Sequence, residues 1–147
     1  MSKSQLIGSV FEAKLRILIL LDSLDGMCLD KSQIIGIDFL AIYSHDFGLN
    51  IDNLNGYGPF RFEEYPAKKS ILSSGLKELV FDHLVDLHPD KSGYRYGINS
   101  KGKSRCQKME CDYSNDYRSS VLLIAEKWPN LDPGIMESLI FEKTVSS

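Results

Sequence analysis

The chain has 147 residues, 43% of them hydrophobic and 25% charged, with a formal net charge of −3; this length suits one domain with a sizeable core, and this composition excludes a disordered chain. Its longest apolar run, Ile17 to Leu21, is closed off by Arg16 and Asp22, far short of the roughly 20 residues needed to span a bilayer. The N-terminal stretch MSKSQLIGSVFEAK has no separate apolar region or small-residue cleavage site before Glu12, so no secretory signal is expected and the chain is assigned to the cytoplasm.

In chain order, Ser9 and Glu12 have the spacing of a capping box, and Val10 to Leu24 follows without Gly or Pro, which predicts a first helix. Phe11, Leu15, Ile17, Leu18, Ile19 and Leu21 cover more than one of its faces. Such a helix is mostly buried, or meets a partner as well as the core. Asp30 and Gln33 repeat the capping arrangement before a second helix, Lys31 to about Phe47, closed by Gly48. The stretch GLNIDNLNGYGPFRFEEYP is long for a connection inside a compact domain, and long loops are more often functional; within it, Phe60-Arg61-Phe62 reads as a short extended piece.

Pro66 suits the first position of a third helix, and Ile71, Leu72, Leu76, Leu79, Val80 and Leu84 form a helical stripe to about Val85. Leu84 to His88 and Tyr94 to Ile98 then flank the turn-forming Pro89 to Gly93, which predicts an antiparallel hairpin. Ser100 caps a brief basic helix. Asp112 or Ser114 starts another that runs through Trp128, with Val121, Leu122, Ala125 and Trp128 on one face. Asp132-Pro133 opens a last helix with Ile135, Met136, Leu139 and Ile140 inward. Three helices, a hairpin and more helix give a mainly α fold: a single domain over 1–147, with a winged-helix-like core at about 9–110, a short β-hairpin wing, and C-terminal helices at about 112–145. The long loop between the second and third helices departs from a tight helix-turn-helix.

The candidates for chemistry are weak. Asp46-Phe47-Gly48 spells a kinase magnesium motif, yet no catalytic loop or glycine-rich loop before a strand lysine accompanies it. Gly56-Tyr57-Gly58 lacks the strand and helix that frame a phosphate loop. Glu63-Glu64 and the Asp112/Asp116 pair have no nucleophile or base nearby and read as surface carboxylates. Cys28, Cys106 and Cys111 fit no zinc spacing, and only a fold that gathered them with His45, His83 and His88 would make a metal site. No catalytic, cofactor or metal residues are therefore assigned, and the chain is expected not to be an enzyme.

Two surfaces stand out instead. From Lys91 to Lys108 there are six cations (Lys91, Arg95, Lys101, Lys103, Arg105, Lys108) and no acid, leaving 11 cations against 20 acids elsewhere. Interleaved with Tyr94 and Tyr96, this run is a solvated face, a nucleic-acid contact or a dock for an acidic partner. The aromatic loop, Tyr57, Phe60, Arg61, Phe62, Glu63 and Tyr65 with Asp46 and Phe47, is either cover for the second helix or a partner interface, because aromatics and Arg favour interface centres.

The run FEAKLRILILLDSL, then IDFLAIYSHDFGL, NLNGYGPFRFEEYPAKKS and LKELVFDHLVDLHPDKSGYRYGINSKG resembles the middle component of bacterial ABC-three component systems, the small subunit of Lamassu-type defence operons. The resemblance covers about residues 10 to 125, and its most specific part is DFLxxYxxDFG followed by NLxG and FxFxE. It implies an adaptor without catalysis that binds an SMC-like or Rad50-like ATPase beside an effector, often a nuclease, in a complex that senses foreign DNA. The matching residues are Asp38, Phe39, Tyr43, Asp46, Phe47, Gly48, Asn53, Leu54, Gly56, Phe60, Phe62 and Glu63, with structural and interfacial roles implied. Lys68-Lys69 depart from the arginines expected there, and Asn55 from a histidine. On this reading the ATPase covers the apolar excess of the first two helices and the aromatic loop. The alternative is a free-standing winged-helix transcriptional regulator, for which the third helix offers only Lys68, Lys69, Ser73, Ser74, Lys77 and Glu78, and no Arg, Asn or Gln for bidentate base contacts.

Overall fold

The computed structural model describes the backbone of residues 3–146 and the side chains of residues 10–146. Among these residues, α1 (Lys3–Ser23), β1 (Leu29–Asp30), α2 (Lys31–Ile42), a 3-10 helix (Arg61–Glu64), α3 (Tyr65–Phe81), β2 (Val85–Asp90), β3 (Gly93–Ile98), α4 (Ser100–Gln107), α5 (Asp112–Lys127) and α6 (Pro133–Ser146) follow in order. The fold is mainly helical and winged-helix-like. Its antiparallel sheet runs β1-β3-β2, with Leu29 opposite Tyr96 and Leu87 opposite Tyr96 on the other side. None of these helices is long and apolar enough to cross a membrane.

α2 is the centre of the molecule. Every residue from Gln33 to Ile42 is buried, because α1, α3, α5 and α6 all pack on it. The apolar excess of α1 and α2, expected to await a partner, is thus covered by the chain's own C-terminal helices. Of the apolar set named for α1, Phe11 alone stays largely exposed, at 58%.

Burying two helices so completely brings charge inside. Arg16 (7% exposed) and Asp38 (3%) face each other across α1 and α2, with Arg16 Nε donating to Asp38 Oδ1 at 2.9 Å and Nη2 to Oδ2 at 3.4 Å. The fully buried Tyr117 of α5 donates its hydroxyl to Asp38 Oδ1 at 2.7 Å. Burial alone would lower the Arg16 pKa, but the Asp38 carboxylate outweighs it and holds the value raised.

Several boundaries differ from the sequence expectation. The α1 backbone is helical from Lys3, so the helix begins before the Ser9 cap, whose side chain lies outside the described residues. α2 stops at Ile42, well before Phe47: the Ser44 hydroxyl donates to the Ala41 carbonyl at 2.6 Å and is hydrogen-bonded to the Ser120 hydroxyl at 3.0 Å, and Asn55 N–H donates to the Ile42 carbonyl at 3.2 Å. Local side-chain bonds of this kind compete with helix continuation. Phe60-Arg61-Phe62 is not extended. Extended geometry would put both phenylalanines on one face, whereas the 3-10 turn leaves Phe60 66% exposed and Phe62 5%. α3 ends at Phe81, before Val85, and the hairpin strands reach to a two-residue turn at Lys91-Ser92. Asn99, not Ser100, caps α4 by accepting from Gly102 N–H at 2.9 Å, and Cys111 caps α5 in a reciprocal pair with Ser114. On α6, Met136 and Ile140 point inward one turn apart, Leu139 is half-buried, and Ile135 turns outward at 51% exposed.

α4 is held so close to the α3–β2 junction that only glycine fits at position 102. A Cβ there would run into the Leu84 carbonyl and lie 2.7 Å from the Ile98 side chain. Since neither is the free end of a flexible chain, Gly102→Ala is expected to cost about 1–3 kcal/mol. Urea denaturation followed by circular dichroism checks this, with the exposed Ser104→Ala as the neutral control.

Candidate interaction surface

The loop after α2 is built on one asparagine. Asn53, 8% exposed, uses its full hydrogen-bonding capacity: Oδ1 accepts from His45 N–H at 2.9 Å and Asp46 N–H at 3.3 Å, while Nδ2 donates to Asp46 Oδ2 at 2.6 Å and the Gly56 carbonyl at 2.9 Å. Gly56 at φ +77° allows the chain to double back there. The loop returns through Arg61, which grips Asp46 with Nε–Oδ2 and Nη2–Oδ1 both at 2.8 Å and donates from Nη1 to the Gly58 carbonyl at 2.9 Å. A guanidinium can make this two-pronged contact and an ammonium cannot. The kinase-like Asp46-Phe47-Gly48 is therefore the anchor of a loop clamp.

The clamp sorts the aromatics. Phe47 and Phe62 go inside and join Tyr43, Tyr65 and Phe39, whose ring centre lies 5.0 Å from Tyr43 and 4.9 Å from Tyr65. Arg61 lies over the Phe62 ring at 4.6 Å. Tyr57, 50% exposed, is fixed by its hydroxyl bond to Asp52 at 2.8 Å and by edge contact with His45. Phe60 projects into solvent, and Glu63 is exposed. Of the eight residues proposed from sequence as one interface, Phe47 and Phe62 are core, Asp46 and Arg61 are the clamp, and Tyr65 is half-buried. Tyr57, Phe60 and Glu63 are what a partner can reach.

The Arg61 hydrogen bond is the main cause holding the Asp46 carboxyl below its ordinary range. A carboxylate depressed on folding adds stability that is complete above its unfolded value near ~3.9 and is lost as pH falls through the lower folded value. Wild-type stability measured down to pH 2 is expected to fall more steeply across that window than that of Asp46→Asn.

The basic run does not form one open stripe. Lys91 sits at the hairpin tip. Arg95 donates to Asp90 at 2.8 Å and to the Cys28 carbonyl at 3.1 Å, Lys103 pairs with Asp25 at 2.8 Å, and Lys101 donates to the Asp82 carbonyl at 3.3 Å. Arg105 and Lys108 face a groove beside α1. The N-terminal turn of α3, the part of a recognition helix that normally reaches base edges, follows directly on the 3-10 helix, and its Tyr65 and Lys69 share a cleft with Pro133 and Glu137 of α6.

Among the described residues, no three His, Cys, Asp or Glu side chains come together as a metal site. Burial pushes the Cys106 thiol up to about 11, so it stays protonated and unreactive at neutral pH.

Residues 6–147 match the family model for Middle Component 2 of ABC-three component (ABC-3C) systems. The chain belongs to this family. No curated protein and no solved structure matches it. In this middle component, most residues that carried the resemblance serve the scaffold: Asp38 the buried network, Phe39, Tyr43, Phe47 and Phe62 the aromatic core, Asp46, Asn53 and Gly56 the clamp. Sequence reasoning passed over the pairing of Arg16 with Asp38, although two opposite charges, each flanked on both sides by apolar residues, were a readable signal.

Proposed function

We propose that this middle component is a non-enzymatic adaptor that binds an SMC-like or Rad50-like ATPase and links it to an effector, often a nuclease, in a Lamassu-type anti-phage or anti-plasmid complex that reaches DNA as a whole. The partner classes come from the family resemblance. The observation that carries the adaptor role is the clamp: Asn53, Asp46 and Arg61 rigidify a loop whose outer aromatics, Tyr57 and Phe60, stay in solvent. Rigid exposed aromatics lose little entropy on docking, which makes them effective interface anchors.

Co-purification of the tagged chain from cells expressing its neighbouring genes, washed in high salt, tests this reading. A stoichiometric coiled-coil ATPase is the expected companion. Recovery of the chain alone would overturn it and favour the second reading, a free-standing regulator, which the order α1-β1-α2-α3-β2-β3 supports. That reading requires sequence-selective duplex binding by the isolated chain, yet the start of α3 sits against α6 and its own acidic approach, Glu63-Glu64.

A further inference from the structure

Of the cations of the basic run, Arg105 and Lys108 are the two that line the groove beside α1. It has a volume of about 360 Å³, is floored by α1 and is bounded on the far side by the end of α3. At its base Leu18, Leu79 and Leu84 are buried, while Phe11 lies open. Lys14 also faces this groove, but Glu78 at 3.7 Å and Asp82 at 3.5 Å answer its charge. No ion pair joins Arg105 or Lys108 to an acid among the described residues, and the one carboxylate that lines the groove, Asp82, is paired with Lys14. The groove thus has an apolar floor and a net positive edge, with Lys14, Arg105 and Lys108 against Asp82.

We infer that it receives an amphipathic helical segment of a partner protein that carries carboxylates beside its apolar stripe. Phe11, Leu15 and Leu18 repeat at i, i+4 and i+7 along α1 and offer a matching apolar track, the geometry by which grooves take helices. Arg105 and Lys108 are three residues apart, the spacing at which carboxylates on one face of an incoming helix would also lie. Nucleic acid is the poorer fit, because an apolar floor gives phosphates nothing and two cations release few counterions. The inference rests on the chain being an assembling subunit and adds the chemistry of what docks there.

The test uses the full chain and three labelled probes in fluorescence anisotropy: a designed amphipathic peptide with a leucine stripe flanked by Glu, the same peptide with Lys for Glu, and a short DNA duplex. The Glu peptide is expected to bind at least about tenfold tighter than the Lys peptide. Arg105→Glu with Lys108→Glu should invert that order, and Phe11→Ser should weaken both peptides at unchanged circular dichroism. Equal affinity for the two peptides, no peptide binding, or duplex binding lost in the Arg105/Lys108 variant without peptide binding would each overturn the inference. If the peptides fail while the wild-type chain still co-purifies with its ATPase, the groove assignment falls and the adaptor reading stands; if co-purification fails too, both fall.

Discussion

Asp38→Ala is expected to destabilise the protein by about 3–5 kcal/mol, the usual cost of breaking a buried ion pair from one side. The substitution strands the Arg16 guanidinium between α1 and α2 and leaves the Tyr117 hydroxyl without its acceptor. Against a total of about 5–15 kcal/mol for an ordinary domain, that loss brings the fold near its limit. Asp22→Ala is the internal comparison. Its bond to Arg118 is of similar length, 2.8 Å against 2.9 Å, but more exposed, and such pairs contribute about 1 kcal/mol or less. Urea denaturation of both variants separates them. Equal, small effects would mean that the Arg16–Asp38–Tyr117 network does not tie α1, α2 and α5 together. Replacing Arg16 and Asp38 together by Met and Leu should recover much of the loss, because neither charge is then left alone.

Phe39→Ala is expected to cost about 3–5 kcal/mol as well, but through a cavity. The ring is 2% exposed and meets four others, Tyr43, Phe47, Phe62 and Tyr65, at centroid distances from 4.9 to 6.4 Å. These come from the turns after α2, the 3-10 helix and α3, so removing Phe39 takes away the floor beneath the clamped loop. A functional consequence follows that Asp38→Ala does not share to the same degree. Amide exchange in the 53–63 loop should accelerate more in Phe39→Ala than in Asp38→Ala under conditions where both remain folded. Uniform acceleration in the two variants would contradict a specific support of the loop by this ring.

How far these features could be read from sequence depends on the range of the interactions that set them. Asp30 and Gln33 are three residues apart, and the predicted capping box is present, with Gln33 N–H donating to Asp30 at 2.7 Å and Asp30 N–H to Gln33 at 3.0 Å. The hairpin was legible from turn residues between β-forming runs. β1 was not, since a strand of two residues carries no alternation. The early end of α2 was hidden because it depends on Ser120 and Asn55, side chain and backbone from other parts of the chain. The same holds for the loop. Tyr57, Phe60, Phe62 and Tyr65 are all aromatic, and contacts between separated positions, Asp46 with Arg61 fifteen residues on and Phe39 with Phe62 and Tyr65, decide which of them face water.

Tyr57 and Phe60 are the displayed contact of the proposed adaptor, and co-purification of the co-expressed complex with wild-type chain and with Tyr57→Ser/Phe60→Ser tests this most directly. Both side chains lie outside the core and Tyr57 is tied only to the exposed loop, so the variant should keep the wild-type circular dichroism spectrum and lose at most a few degrees of melting temperature while losing at least about tenfold of its bound ATPase, as removal of two interface anchors implies. A folded variant that retains the ATPase at the wild-type level would contradict the claim.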